Sequence, residues 1–157
     1  IMSNIQTLNK VVELAEKRRD EALSALGQLQ RERQVASEQM QQLQTYANEA
    51  QQRWNARCTS TGVDAALLHH HRQFMQKIDH AMEFQRGVLA QRDELIERGQ
   101  AQVYAAERDV AGLRKYTERK LDALNLRALR QEQKSTDEMA LTIHLRHRLA
   151  QSQGLRS

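Results

Sequence analysis

The sequence predicts an all-α protein, a long two-helix antiparallel coiled-coil hairpin, from three observations. Its 157 residues include no proline and only 6 glycines, so residues that interrupt helices are scarce. Good helix formers (Ala, Leu, Gln, Glu, Lys and Arg) dominate, whereas aromatic residues make up only 4%. Apolar residues recur at alternating steps of three and four, which is the spacing of a coiled-coil seam. Compact β or α/β folds need frequent turn residues, which this chain lacks.

The first predicted helix covers approximately residues 4–58. Its apolar stripe is far longer than the three or four heptads that indicate a coiled coil. Arg19 and Arg33 interrupt the stripe at heptad positions of the same type. Because a buried charge is costly unless it is paired, these arginines argue against a tight homodimer through the seam. The predicted seam consists of Ile5, Leu8, Val12, Ala15, Arg19, Ala22, Leu26, Leu29, Arg33, Ala36, Met40, Leu43, Ala47, Ala50 and Trp54.

A turn is predicted at residues 59–63, the one convincing break in the helical pattern. Gly62 supplies the backbone freedom for a chain reversal. Thr61, followed three residues later by Asp64, has the pattern of a helix N-cap. A short turn between two long helices makes them antiparallel neighbours. Residue numbers that face each other should therefore sum to about 122, which is the turn position doubled.

The second predicted helix covers approximately residues 64–134. Its stripe continues through Gly87, Gly99 and Gly112, each of which costs a helix about 1 kcal/mol relative to alanine. Residues flanking the seam widen the stripe near the turn; they are Phe74, Ala81, Val88 and Leu95. The stronger heptad position holds Leu68, Met75, Met82, Leu89, Ile96, Val103 and Val110, and the weaker one holds His71, Ile78, Gln85, Arg92, Gly99, Ala106 and Leu113.

Residues 1–134 are predicted to form a single antiparallel coiled coil, followed by a mobile C-terminal tail over 135–157. By the register above, the first residues of helix 1 lie opposite approximately residue 118. The rest of helix 2 therefore has no intramolecular partner. Chain ends without such a partner tend to be poorly ordered.

Catalytic and metal sites are not indicated, and we expect no enzyme activity, no cofactor and no bound metal. Successive helical side chains diverge by about 100°, so His69, His70 and His71 do not converge on one ion. His144 and His147 have no further ligand beside them. A phosphate-binding glycine loop is missing, and the single cysteine, Cys58, is best explained as an incidental thiol.

Net positive charge is concentrated in the C-terminal third of the chain. Residues 113–157 hold 10 Lys and Arg against 5 Asp and Glu, whereas the whole chain has a net charge of +4. Acidic residues are interspersed there and aromatic residues for base stacking are scarce, so we expect no nucleic-acid binding. A solvated face or a contact with an acidic protein is favoured. No apolar stretch has the length of a membrane span or a signal segment, which predicts a cytoplasmic protein.

A candidate docking patch lies near the predicted turn, on one face of helix 2 and the adjoining part of helix 1. Leu43 and Tyr46 of helix 1 lie at the same height as this face. Ile78 and Leu43 are equally explained as seam residues, whereas Phe74 and Tyr46 lie beside the seam. Exposed aromatic residues on a rod poor in them favour a partner-binding role. The helix 2 face consists of Phe74, Ile78, Ala81 and Gln85.

Several segments, taken with their order and spacing, resemble flagellar export proteins of the FliJ family over most of residues 8–140. The segments are LNKVVELAEK at 8–17, QMQQLQTYANE at 39–49, Gly62-Val63, QFMQKI at 73–78, RQEQK at 130–134 and Asp137-Glu138.

This resemblance implies a two-helix coiled coil similar to the rotary stalk subunit of F- and V-type ATPases. Family members act in the type III export apparatus of bacterial flagella, and hence in motility. They sit in the pore of the hexameric export ATPase, promote its assembly and activity, couple it to the membrane export gate and help recycle substrate chaperones. The implied location is the cytoplasmic face of the inner-membrane export apparatus.

Residue roles follow from the resemblance, in which the hairpin tip faces the gate and the paired termini enter the ATPase ring. The implied gate-facing residues are Phe74, Ile78 and Ala81 with Gln39, Leu43 and Tyr46 beside them, and Gln85 extends the patch. We add the hypothesis that the positive excess at the termini end suits the ring, through Arg114, Lys115, Arg119 and Lys120.

Two alternatives stay open at the level of sequence. The equivalent stalk of a virulence-type type III secretion system would share the fold and most contacts. A self-associating structural coiled coil is a rival from another class, which Arg19 and Arg33 disfavour. We therefore expect a monomer in isolation.

Overall fold

The computed structural model describes the backbone of residues 2–156 and the side chains of residues 4–154. It contains two helices, α1 (Met2–Ser60) and α2 (Ala65–Arg156), and no strand within the described residues. Ile1 and Ser157, the outermost residues of the predicted coiled coil and tail, lie outside the described range. The all-α prediction is confirmed.

A turn of four residues separates the helices. Gly62 has φ of 70°, the left-handed conformation common directly after a helix. Thr61, the first residue of the turn, continues the hydrogen-bond pattern of α1, because its amide donates to the carbonyl of Arg57 at 3.2 Å. Asp64 caps α2, since its Oδ1 accepts from the amide of Leu67 at 2.8 Å. The turn predicted at 59–63 lies at residues 61–64 in the structure, and the predicted capping residue, Thr61, was wrong.

Two compact units make up the chain. The hairpin unit is Glu16–Arg108, and the terminal unit combines Ile1–Ala15 with Asp109–Ser157. In the terminal unit, Ala15 and Val110 are buried, and Leu8, Val12 and Leu113 are half-buried.

The seam of the hairpin unit is buried as predicted. Every heptad position listed for helix 1 and helix 2 within this unit is buried or half-buried. Gly99 marks a close approach of the helices, since a Cβ there would lie 3.3 Å from the Cδ1 atoms of Leu26 and Leu29. The buried apolar side chains of this unit are Ala36, Met40, Ala47, Ile78 and Val103.

Contacts across the seam give the register directly. Gln85 bonds to Ala36 and Trp54 stacks on His71, so these facing residue numbers sum to 121 and 125. The prediction of about 122 is close, and the spread reflects side chains that lean along the helix rather than straight across.

The helix α2 continues well beyond the boundary of 134 expected from the sequence, through to Arg156. Proline is absent, and the hydroxyls of Thr136 and Thr142 donate to the carbonyls of Glu132 and Glu138, so nothing interrupts the backbone pattern. Residues 125–154 are all exposed. A helix without a covering partner is weakly stabilised, so mobility of the segment from 135 stays a prediction.

Replacing Gly62 by alanine should destabilise the protein by about 1 kcal/mol, because alanine is strained at positive φ. No atom lies within 4 Å of the Cβ that would be added, so the effect isolates the backbone conformation. Gly87→Ala is the matched control: it also meets no atom within 4 Å but lies inside α2, where alanine should stabilise by about 0.5–1 kcal/mol. Urea unfolding followed by circular dichroism measures both, and shifts of equal sign would contradict the turn conformation.

Candidate partner-binding site

An aromatic pair near the turn is an exposed part of the predicted patch. The rings of Tyr46 and Phe74 meet edge to face, with centroids 5.7 Å apart and an interplanar angle of 69°. Tyr46 is 50% exposed and Phe74 is 38% exposed. Each ring thus fixes the other while keeping surface available to a partner, an arrangement that costs little side-chain entropy on binding.

The apolar floor beneath this pair belongs to the helix–helix seam. Ile78 is buried, at 5% exposure, and Leu43 and Ala81 are half-buried. Substituting Ile78 would therefore alter the packing of the hairpin before it altered any surface. The predicted patch therefore has an exposed part, which includes Tyr46 and Phe74, and a buried part within the seam, which includes Ile78.

A polar layer crosses the seam farther from the turn. The Gln85 side chain, only 8% exposed, donates through Nε2 to the carbonyl of Ala36 at 2.8 Å and to Oε1 of Gln39 at 3.2 Å. A buried amide needs such partners, and their positions favour one register of the two helices. Gln85 is thus placed to hold the helices in register, and Gln39 is the exposed end of that layer.

The three arginines at seam positions of the hairpin unit, Arg19, Arg33 and Arg92, reach carboxylates. Arg33 donates through Nε to Asp93 across the seam at 2.8 Å, and this hydrogen bond and charge raise the pKa of Arg33. Arg19 pairs with the adjacent Asp20 at 3.1 Å. Arg92, from helix 2, reaches Glu32 at 3.4 Å. These partly exposed pairs explain how an apolar stripe tolerates cations.

A groove continues from the aromatic pair toward the turn, with a volume of about 240 Å³. Trp54 and His71 close one part of it by stacking in parallel, with centroids 4.2 Å apart and an interplanar angle of 5°. The groove was not predicted, although both residues were assigned to facing seam positions. It is lined by Tyr46, Glu49, Ala50, Arg53, Trp54, Arg57, His71 and Phe74.

The histidine run and the cysteine do not form a reactive cluster. His69 and His70 are exposed, with ring centroids 6.5 Å apart, and His71 is engaged with Trp54. Among the described residues, no three His, Cys, Asp or Glu side chains are grouped so that they could hold a metal ion. Cys58 is an exposed thiol.

The four basic residues predicted to contact an ATPase all lie exposed in the terminal unit, on α2. Lys120 Nζ lies 5.6 Å from the ring centroid of Tyr116. Exposed apolar side chains follow along the same helix, including Leu126, Leu129 and Met139. Within the described part of the chain, neither helix has a stretch apolar enough to cross a membrane. The four basic residues are Arg114, Lys115, Arg119 and Lys120.

Comparison with known families decides the relationship that the sequence segments suggested. The family model described as flagellar FliJ protein matches residues 4–149, which is nearly the whole chain. The chain belongs to the FliJ family. No curated protein matches the sequence at a significant level.

Membership of the FliJ family makes the chain a component of the flagellar export apparatus. FliJ proteins are structural stalk proteins and cytoplasmic components of the export apparatus. The exposed pair and the groove of this FliJ-family chain are therefore best examined as protein-docking surfaces.

Replacing Gln85 by alanine should lower the free energy of unfolding by about 1–3 kcal/mol, because it removes one buried and one part-buried hydrogen bond and leaves a gap in the seam. Gln91→Ala is the matched control on the exposed face of the same helix and should change stability by less than about 0.5 kcal/mol. Chemical unfolding measures both. Equal midpoints for the two variants would show that the polar layer does not stabilise the hairpin.

Proposed function

We propose that this chain is a non-enzymatic stalk of flagellar protein export. Its termini end binds and activates the hexameric export ATPase, and its hairpin tip contacts the membrane export gate. It also escorts substrate chaperones and works peripherally at the cytoplasmic face of the inner membrane. The observation that carries this proposal is the family match over residues 4–149 combined with the exposed aromatic pair near the turn.

Support for the ATPase contact comes from the terminal unit. Residues 125–154 of α2 are exposed throughout, so a large helical surface is available to a surrounding ring. Basic residues exceed acidic ones by 5 over 113–157, which suits a pore whose walls are acidic or polar.

Support for the gate contact comes from the hairpin unit. Rigid, half-exposed aromatic side chains are typical binding hot spots, because they bury a large area at a small entropic cost. Tyr46 and Phe74 have this character, whereas Ile78 and Gln85 are buried within the hairpin.

Adding the full chain to the cognate export ATPase should raise ATP turnover and the fraction of hexamer, both measurable with purified proteins. Reversing Lys115, Arg119 and Lys120 to glutamate should weaken the association by about tenfold, an effect that shrinks at high salt. The control reverses Lys77, Arg86 and Arg108, exposed residues of the hairpin unit, and changes the net charge equally. Unchanged turnover and assembly with the unaltered chain would refute the stalk proposal.

Phe74→Ala and Tyr46→Ala should each weaken binding of the export gate about 30-fold, a typical hot-spot loss of about 2 kcal/mol. Isothermal titration calorimetry with the cytoplasmic part of the gate protein measures this. Phe84→Ala and Tyr104→Ala are the matched controls, because these rings are 74% and 68% exposed on the same hairpin unit. Equal losses in all four variants would mean that the predicted patch has no special role.

A further inference from the structure

The groove beside the aromatic pair has the size of a single side chain. Its volume of about 240 Å³ lies below the range of about 300–1,000 Å³ that is usual for small-molecule sites. A leucine-sized or phenylalanine-sized side chain of a partner fits such a space better than a cofactor does. The walls are largely preformed, since Tyr46 rests on Phe74 and Trp54 on His71.

The rim of the groove is positively charged. Arg53 reaches Glu49 only at 3.8 Å, with 79% of the arginine side chain exposed. Arg57 forms no ion pair with any carboxylate in the described residues 4–154, and its position in the last turn of α1 is favoured by the helix dipole. The rim therefore carries two cations, Arg53 and Arg57, and one carboxylate, Glu49, whose only ion pair among the described side chains is the long contact to Arg53.

Positive charge also exceeds negative charge in the residues between Glu49 and Asp79, around the turn, although α1 as a whole is nearly neutral. Residues 50–78 hold four Lys and Arg against one acidic residue, Asp64. The Asp64 carboxylate is engaged in capping α2 through the amide of Leu67. A partner that meets this tip gains most if it brings carboxylates.

We propose that the gate segment that docks on this chain inserts one bulky apolar side chain into the groove, with carboxylates beside it that pair with Arg53 and Arg57. This inference rests on the proposed gate contact and specifies the chemistry of that contact. It extends the docking surface toward the turn, beyond the predicted patch, to Trp54 and His71.

Other occupants fit the groove less well. A second copy of the chain would bring the same basic tip, and like charges repel. Single-stranded nucleic acid needs several open aromatic faces in succession, whereas one face of Trp54 is covered by His71.

The test uses Trp54 as a reporter, because it is the only tryptophan of the chain. The full chain is labelled with 5-fluorotryptophan and titrated with the unlabelled cytoplasmic part of the gate protein, followed by ¹⁹F NMR. The inference predicts a shift of the single resonance on binding. It also predicts that Arg53→Glu with Arg57→Glu weakens binding at least tenfold, and that this loss falls as salt rises.

The control variant is Arg86→Glu with Arg108→Glu, which changes the net charge equally at exposed positions outside the tip. The control variant and the Arg53/Arg57 variant lose the same amount of positive charge, so long-range attraction changes equally in both. Because the control leaves the groove intact, it should bind the gate protein within about twofold of the unaltered chain. Circular dichroism of each variant reports whether the helices are retained.

Two results separate the inference from the proposed function. If the gate protein binds and Phe74→Ala weakens it, but neither the ¹⁹F resonance nor the Arg53/Arg57 reversal has an effect, the groove inference fails and the gate contact stands. If the unaltered chain does not bind the gate protein, the gate contact and the inference both fail.

A further arm of the test uses vesicles of phosphatidylglycerol and phosphatidylethanolamine. If the chain binds these vesicles more tightly than the gate protein, and this binding depends on Arg53 and Arg57, the tip binds lipid headgroups and the inference is overturned.

Discussion

An apolar stripe repeated every seven residues, and uninterrupted by proline, is the constraint on which the rest of this protein depends. A helix of this composition gains little stability alone and needs a partner to cover its stripe. In the hairpin unit that partner is the other helix of the same chain, because the turn at Gly62 reverses the chain direction. With only two helices the coverage is shallow: no described side chain is buried below 2% exposure. Most of the surface of the described residues is therefore left accessible to other molecules.

Polar groups across the seam favour one register of the two helices. A seam rich in alanine, such as Ala36 and Ala47, tolerates sliding, because small side chains interlock weakly. The hydrogen bonds of Gln85 and the pair between Arg33 and Asp93 favour a single alignment. That alignment sets Tyr46 against Phe74 and Trp54 against His71, so the docking surface near the turn depends on contacts well away from it.

Sequence pattern alone predicted the seam and a chain reversal near Gly62, because heptad spacing and the break at residues 59–63 leave few other solutions. It misplaced two local features. Thr61 and Asp64 both suit an N-cap, and only backbone geometry distinguishes them. The end of α2 was placed at 134 because a partner was judged necessary, whereas the backbone pattern continues to Arg156. The aromatic pair was predictable from register. The groove was not, because it depends on rotamers that bring Arg53 and Arg57 beside Trp54.

The proposed function places two different partners on the two units, the gate on the hairpin unit and the ATPase on the terminal unit. Site-specific photo-crosslinking in the living cell tests this most directly, with a photoreactive phenylalanine analogue placed at Tyr46 or at Leu121, both exposed. Antibodies against each partner identify the products. The account predicts that position 46 captures the gate protein and position 121 captures the export ATPase. Capture of the same partner from both positions, or the reverse assignment, would contradict it.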